Sequence, residues 1–110
     1  MARFKWVSSL TFALTLIGSA AQAEAPTIFY AWRSLEGTVD QCLEQANQAL
    51  EAQALAEIQR EGNSIAGRTD EDTAMFVCLD GDGDTTVMVI VSGVDGERAI
   101  ALREALKAAF

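Results

Sequence analysis

Four segments of the chain carry the pattern of hydrophobic and polar residues that is typical of β-strands. They are residues 28–33, 64–68, 73–79 and 85–92. The first is rich in β-branched and aromatic residues and has Ile28, Tyr30 and Trp32 on one face. Residues 73–79 and 85–92 are apolar on both faces, which predicts strands that are buried on one side and covered by something on the other.

A helix is predicted to begin after Thr38. Thr38 and Gln41 have the spacing of a capping box, in which each side chain bonds the backbone of the other residue. The following apolar stripe includes Cys42 and predicts that this cysteine is buried. Helix propensity continues to Arg60, but a helix of about 24 residues would be roughly 36 Å long. The later strands span only about 23 Å, so we expect the helix to end near Gln53 and residues 56–61 to be extended.

A second helix is predicted at the end of the chain, with Asp95 as its N-cap. Its apolar stripe contains Ala99, Leu102, Leu106 and Ala109, widened by Ile100 and Phe110. Together these elements predict an α+β fold in the order β-α-β-β-β-α. It would have one mostly antiparallel sheet of four to five short strands, with two helices packed on one face.

Residues 1–23 have the features of a signal peptide. Arg3 and Lys5 precede an apolar stretch, residues 7–17, and Ala21-Gln22-Ala23 is the small-x-small motif of a cleavage site. The alternative is a retained membrane anchor, but the stretch is shorter than the roughly 20 residues that a spanning helix needs. We therefore expect export to the bacterial periplasm or medium, no membrane association after cleavage, and a single small domain at residues 24–110.

The expected mature chain is strongly acidic. It keeps six basic and all sixteen acidic residues, a net charge of −10. Such a surface disfavours binding to nucleic acid or anionic lipid and suits a cationic partner or a role in solubility. The chain has no histidine, so none of its serines has a histidine base that could activate it as a nucleophile. We therefore expect a protein that is not an enzyme and has no cofactor.

The two cysteines, Cys42 and Cys78, are expected to form a disulfide. Cys78 shares a strand face with Ala74 and Phe76, and both sulfur atoms point into one layer if the helix covers that face. A redox pair and two buried free thiols are the alternatives, although a Cys-x-x-Cys motif is absent.

Asp80, Asp82 and Asp84 are spaced like the first ligands of a calcium loop. The pattern then fails, because Thr85 and Val91 occupy the positions of the required glycine and glutamate. An acidic hairpin turn is the simpler interpretation. Weak cation binding, helped by residues 70–72 if the two loops converge, is the alternative.

One sheet face is a candidate interaction surface. Opposite the predicted buried face lie Met75, Val77, Leu79, Met88 and Ile90. Two helices cover only one side of a small sheet, and soluble monomers rarely expose a large apolar patch. A second copy, an unknown protein partner or a ligand is expected to cover this face. Alternatively, the loose leader at residues 24–27 or the strand with Tyr30 and Trp32 folds over it.

The segments Phe76-Val77-Cys78, residues 89–93 and residues 101–106 resemble those of small exported bacterial proteins of unknown function. The resemblance implies a β-α-β-rich order that ends in a helix, and a paired helix and strand cysteine. It implies no catalytic residues. The expected function is an exported binding or interaction module that self-associates through the apolar face. The alternatives are a calcium-binding module and an enzyme.

Overall fold

The computed structural model describes residues 25–110, so the predicted signal peptide at residues 1–23 lies outside the described part. The described chain contains five strands and two helices. They are β1 (Thr27–Leu35), α1 (Val39–Ala52), β2 (Ala56–Glu61), β3 (Ser64–Arg68), β4 (Asp72–Asp80), β5 (Thr85–Gly93) and α2 (Gly96–Lys107). The predicted α+β class is confirmed, with one strand more than the predicted order.

The five strands form one antiparallel sheet in the order β1-β5-β4-β3-β2. Strands β2 to β5 follow one another as hairpins, whereas β1 pairs with β5, the last strand of the chain. Helix α1 connects one edge of the sheet to the other and packs on β4 and β3, and α2 packs on β5 and β1. Both helices cover the same face, as predicted.

The core lies between the helices and this covered face. Every second residue is buried from Asp72 to Cys78 in β4 and from Thr85 to Gly93 in β5, as alternation in a one-sided sheet requires. Phe76 is fully buried at the centre, and its ring lies 5.3 Å from that of Phe110. Leu43 and Leu50 of α1 and Leu106 of α2 complete the core.

A disulfide joins α1 to β4. The sulfur atoms of Cys42 and Cys78 are 2.08 Å apart, and the two Cα atoms are 6.1 Å apart. Both residues are buried in the core, at 2% and 0% exposure. The predicted pairing is confirmed, and it fixes the position of α1 on the sheet.

The two ends of α1 are formed by different hydrogen-bond motifs. Its start is the predicted capping box, in which the Thr38 hydroxyl accepts from the Gln41 backbone and the Gln41 side chain accepts from the Thr38 backbone. Its end is a Schellman motif, in which the Leu55 amide donates to Leu50 and the Ala54 amide donates to Glu51. Ala54 has φ 60°, a left-handed conformation that usually requires glycine.

We therefore expect Ala54→Gly to stabilise the protein. The left-handed conformation costs a residue with a Cβ atom about 1–2 kcal/mol, and the added flexibility of glycine in the unfolded chain offsets roughly half of this. The net gain in unfolding free energy is expected to be about 0.5–1 kcal/mol by urea denaturation. Ala52→Gly, inside the same helix, is the matched control and should destabilise the protein. Failure of Ala54→Gly to stabilise the protein would contradict the proposed strain.

Helix α2 begins at the predicted N-cap, where Asp95 accepts a hydrogen bond from the Arg98 backbone. Its apolar stripe is narrower than predicted. Ala99 and Leu106 are buried and Leu102 is partly buried, but Ile100 and Ala109 are exposed. The prediction that Ile100 widens the stripe is wrong because the helix packs mainly on β1 and β5, which one narrow stripe is sufficient to cover.

An ion pair between a partly exposed arginine and a buried carboxylate links α2 to the start of β4. Arg98 Nε donates to Asp72 Oδ2 at 2.9 Å, and the Asp72 side chain is only 3% exposed. This hydrogen bond raises the pKa of Arg98, and the charges of Asp72, Glu71 and Asp95 add to the effect. Asp72, which the sequence groups with Asp70 and Glu71 in one loop, lies within β4, opposite Gly93.

Candidate interaction surface

We call the face of the sheet that lies opposite the helices the open face. Its centre is formed by the outward-pointing residues of β1, β5 and β4. They are Ile28, Tyr30 and Trp32 of β1, Met88 and Ile90 of β5, and Met75, Val77 and Leu79 of β4. All five residues that the sequence singled out for this surface therefore lie on one continuous face, and three residues of β1 extend it.

The open face contains most of the large apolar side chains that the described residues expose. Ile28, Tyr30, Trp32 and Leu79 are 65%, 58%, 60% and 45% exposed, and among the described residues only Val94 and Ile100 are comparable. Met75, Val77, Met88 and Ile90 are partly buried, because neighbouring side chains on the sheet shield them. No helix or loop of the described chain covers this surface.

The aromatic residues of β1 stand on the open face beside β5. Tyr30 is the register partner of Ile90, and Trp32 is the partner of Met88. The two rings are stacked, with centroids 6.0 Å apart and planes at 11°. The alternative that this strand folds over the apolar face is therefore wrong, since β1 continues the sheet and enlarges the face.

The charges of the open face lie at its margin. The outward positions of β1, β5 and β4 carry no acidic or basic side chain. At the far side, Arg68 of β3 pairs with Glu57 of β2. The hydrogen bond from Arg68, strengthened by its charge, lowers the pKa of Glu57. Beside this pair lies a shallow depression of about 300 Å³, which Ala66 and Thr73 also line.

The acidic turn between β4 and β5 lies at one end of the sheet. The Gly81 amide donates to the Asp84 carbonyl at 2.9 Å, which closes a tight turn. Asp80 and Asp84 border a depression together with Asp40. Within residues 25–110, no three acidic, histidine or cysteine side chains are grouped so that they could hold a metal ion.

The second acidic loop cannot assist the first. Asp70 and Glu71 precede β4 and Asp72 is its first residue, whereas Asp80 is its last residue and Asp82 and Asp84 follow it. A nine-residue strand separates the two loops by about 27 Å. The two loops do not converge, so residues 70–72 do not assist the turn. Calcium binding by Asp80, Asp82 and Asp84 stays a prediction.

Comparison of the chain with protein-family models, with curated proteins and with solved structures found no match. Among the helices of residues 25–110, none has the length and apolar character needed to cross a membrane.

Proposed function

We propose that the protein is a small exported interaction module that self-associates through the open face. The observation that carries this proposal is the concentration of exposed large apolar side chains on one uncovered face. Soluble monomers rarely expose a contiguous apolar patch of this kind, and such patches mark binding surfaces. The buried disulfide supports export, because disulfides persist in oxidising compartments.

The charge distribution favours a second copy as the partner. The chain has a net charge of −8, so most approaches of one copy to another are repulsive. The uncharged centre of the open face is a surface on which two copies can meet without opposing carboxylates. A cationic partner would find no acidic residue there to attract it.

The dimensions of the open face suit a small interface. Three strands of nine residues extend about 30 Å each, the five-residue β3 extends about 17 Å, and neighbouring strands are about 4.8 Å apart. The projected area is thus roughly 500 Å² per copy, at the lower end of the range for specific interfaces. We expect reversible dimers with a dissociation constant in the micromolar range, and stronger association at higher salt, because salt screens the repulsion.

Ile90→Asp should disrupt the dimer. Ile90 lies at the centre of the open face, where a partner would bury the new carboxylate without a counter-charge. At a cost of about 3 kcal/mol, this raises the dissociation constant roughly 100-fold. Sedimentation equilibrium of the disulfide-bonded protein at several concentrations measures the change.

Ile100→Asp is the matched control for this experiment. It introduces the same side chain and the same charge at an exposed position on α2, away from the open face. The control should dimerise like the unaltered protein, and circular dichroism should show that both variants are folded. A chain that stays monomeric at hundreds of micromolar, or equal dimerisation of both variants, would refute self-association through this face.

A further inference from the structure

We propose that the two copies meet face to face about a two-fold axis parallel to the strands, with β1 of each copy over β3 of the other. This inference rests on the proposed self-association and adds the orientation of the partner. It follows from the distribution of large and small side chains across the open face.

Side-chain size decreases across the open face from β1 to β3. The register places Tyr30, Ile90, Met75 and Ala66 in one row across four strands, and Trp32, Met88, Val77 and Ser64 in the next. Each row thus begins with a large aromatic residue and reaches one of the smallest side chains at β3, beyond which β2 adds Gln59 and Glu61. The stacked rings of Tyr30 and Trp32 form a knob at one side, and the depression of about 300 Å³ beside Ala66 is a hollow at the other.

In an isologous dimer whose two sheets keep their strands aligned, two face-to-face arrangements with two-fold symmetry are possible. An axis perpendicular to the strands places the aromatic knob over the partner's aromatic knob and the hollow over the partner's hollow. Sheets pack about 10 Å apart, so this arrangement crowds one side of the interface and leaves a void at the other. Close packing disfavours both defects.

An axis parallel to the strands, between β5 and β4, matches large residues with small ones. Tyr30 then lies over the partner's Ala66, and Trp32 lies over the partner's Ser64. The partly buried residues of β5 meet those of the partner's β4 at the centre. At the rim, Ile28 faces the stem of the partner's Arg68, whose charge is already paired with Glu57.

Contact through the edge of the sheet is less favourable than contact through its face. Strand β1 is an edge strand, but it carries Arg33, and Arg103 of α2 donates to the Tyr30 carbonyl at 3.4 Å. Charged side chains at an edge oppose pairing with another strand. The open face has no comparable protection.

Ala66→Trp tests this orientation, because it fills the hollow that would receive the partner's Tyr30. We expect the dissociation constant to rise at least about 30-fold, as overpacking of a close-packed contact does, and Tyr30→Ala in the same chain to restore much of the affinity by making room. Ala101→Trp, on the exposed side of α2, is the matched control and should leave the dimer intact.

Cysteine crosslinking provides a second test that does not depend on a large substitution. A mixture of Tyr30→Cys chains and Ala66→Cys chains should form covalent heterodimers under mild oxidation, and Tyr30→Cys alone should not. The orientation would be overturned if Tyr30→Cys alone formed crosslinked dimers. It would also be overturned if Ala66→Trp dimerised as tightly as the unaltered protein or more tightly. Self-association itself would still stand if Ile90→Asp abolished the dimer, whereas a monomeric unaltered chain would remove both proposals.

Discussion

The double variant Cys42→Ala/Cys78→Ala is expected to lose about 3–4 kcal/mol of unfolding free energy. The bond closes a loop of 36 residues, and its removal returns that conformational freedom to the unfolded chain. Domains of this size have unfolding free energies of only about 5–15 kcal/mol, so the loss leaves little stability at 37 °C. Urea denaturation of the two chains, followed by circular dichroism, measures the difference.

Reduction of the unaltered protein provides the control. Both cysteines are buried, so the folded protein should resist mild reductant, whereas reductant added to the denatured protein should shift its refolding transition to that of the double variant. Equal stability of the variant and the oxidised protein would show that α1 is held to the sheet by apolar contacts alone.

Gly93→Ala is expected to cost about 3 kcal/mol, because the new side chain displaces a buried carboxylate. A Cβ atom at this position would lie 2.0 Å from Asp72 Oδ1, a distance that no native contact allows. Asp72 would have to move and lose its hydrogen bond to Arg98. The midpoint of thermal or urea unfolding should fall accordingly.

A double-mutant cycle isolates this clash from other effects. Asp72→Ala alone should destabilise the protein by about 2 kcal/mol, since it removes a hydrogen bond between charged groups. Asp72→Ala combined with Gly93→Ala should cost clearly less than the sum, because the smaller side chain leaves room for the new methyl group. Ser92→Ala, the neighbouring position, should change the free energy by less than about 0.5 kcal/mol. Strict additivity would contradict the steric explanation.

Local chemistry was sufficient to predict most elements of the fold. The capping box at Thr38 and the N-cap at Asp95 depend on residues within one helical turn, and the structure confirms both. The end of α1 has no such signal, since Ala54 adopts a conformation that normally indicates glycine. Only the comparison of helix and strand lengths placed it near Gln53.

Contacts between distant residues could not be predicted in the same way. Asp72 and Arg98 are 26 residues apart, and in the sequence Asp72 is one of three consecutive acidic residues. Its burial depends on Gly93, whose missing side chain leaves space for the carboxylate. Such an arrangement becomes visible only when the register of β4 and β5 is known.

The candidate surface was predicted in part. Alternation along β4 and β5 was enough to place Met75, Val77, Leu79, Met88 and Ile90 on one face. The contribution of Tyr30 and Trp32 depends on the position of β1 beside β5. Alternation reports which side chains share a face of a strand, but it carries no information on which strands are neighbours.

The pairing of the first strand with the last determines the order in which the sheet can be completed. Residues cross a secretory membrane from the N-terminus, so in the proposed export β1 would arrive first. Its partner β5 would arrive much later, because it begins 50 residues after β1 ends. Strands β2 to β5 can form hairpins as they emerge, because their contacts are local. Until β5 arrives, Tyr30 and Trp32 would lie on an unpaired strand. In the proposed export, the interval between the arrival of β1 and that of β5 would therefore be the stage at which the chain is most exposed to aggregation.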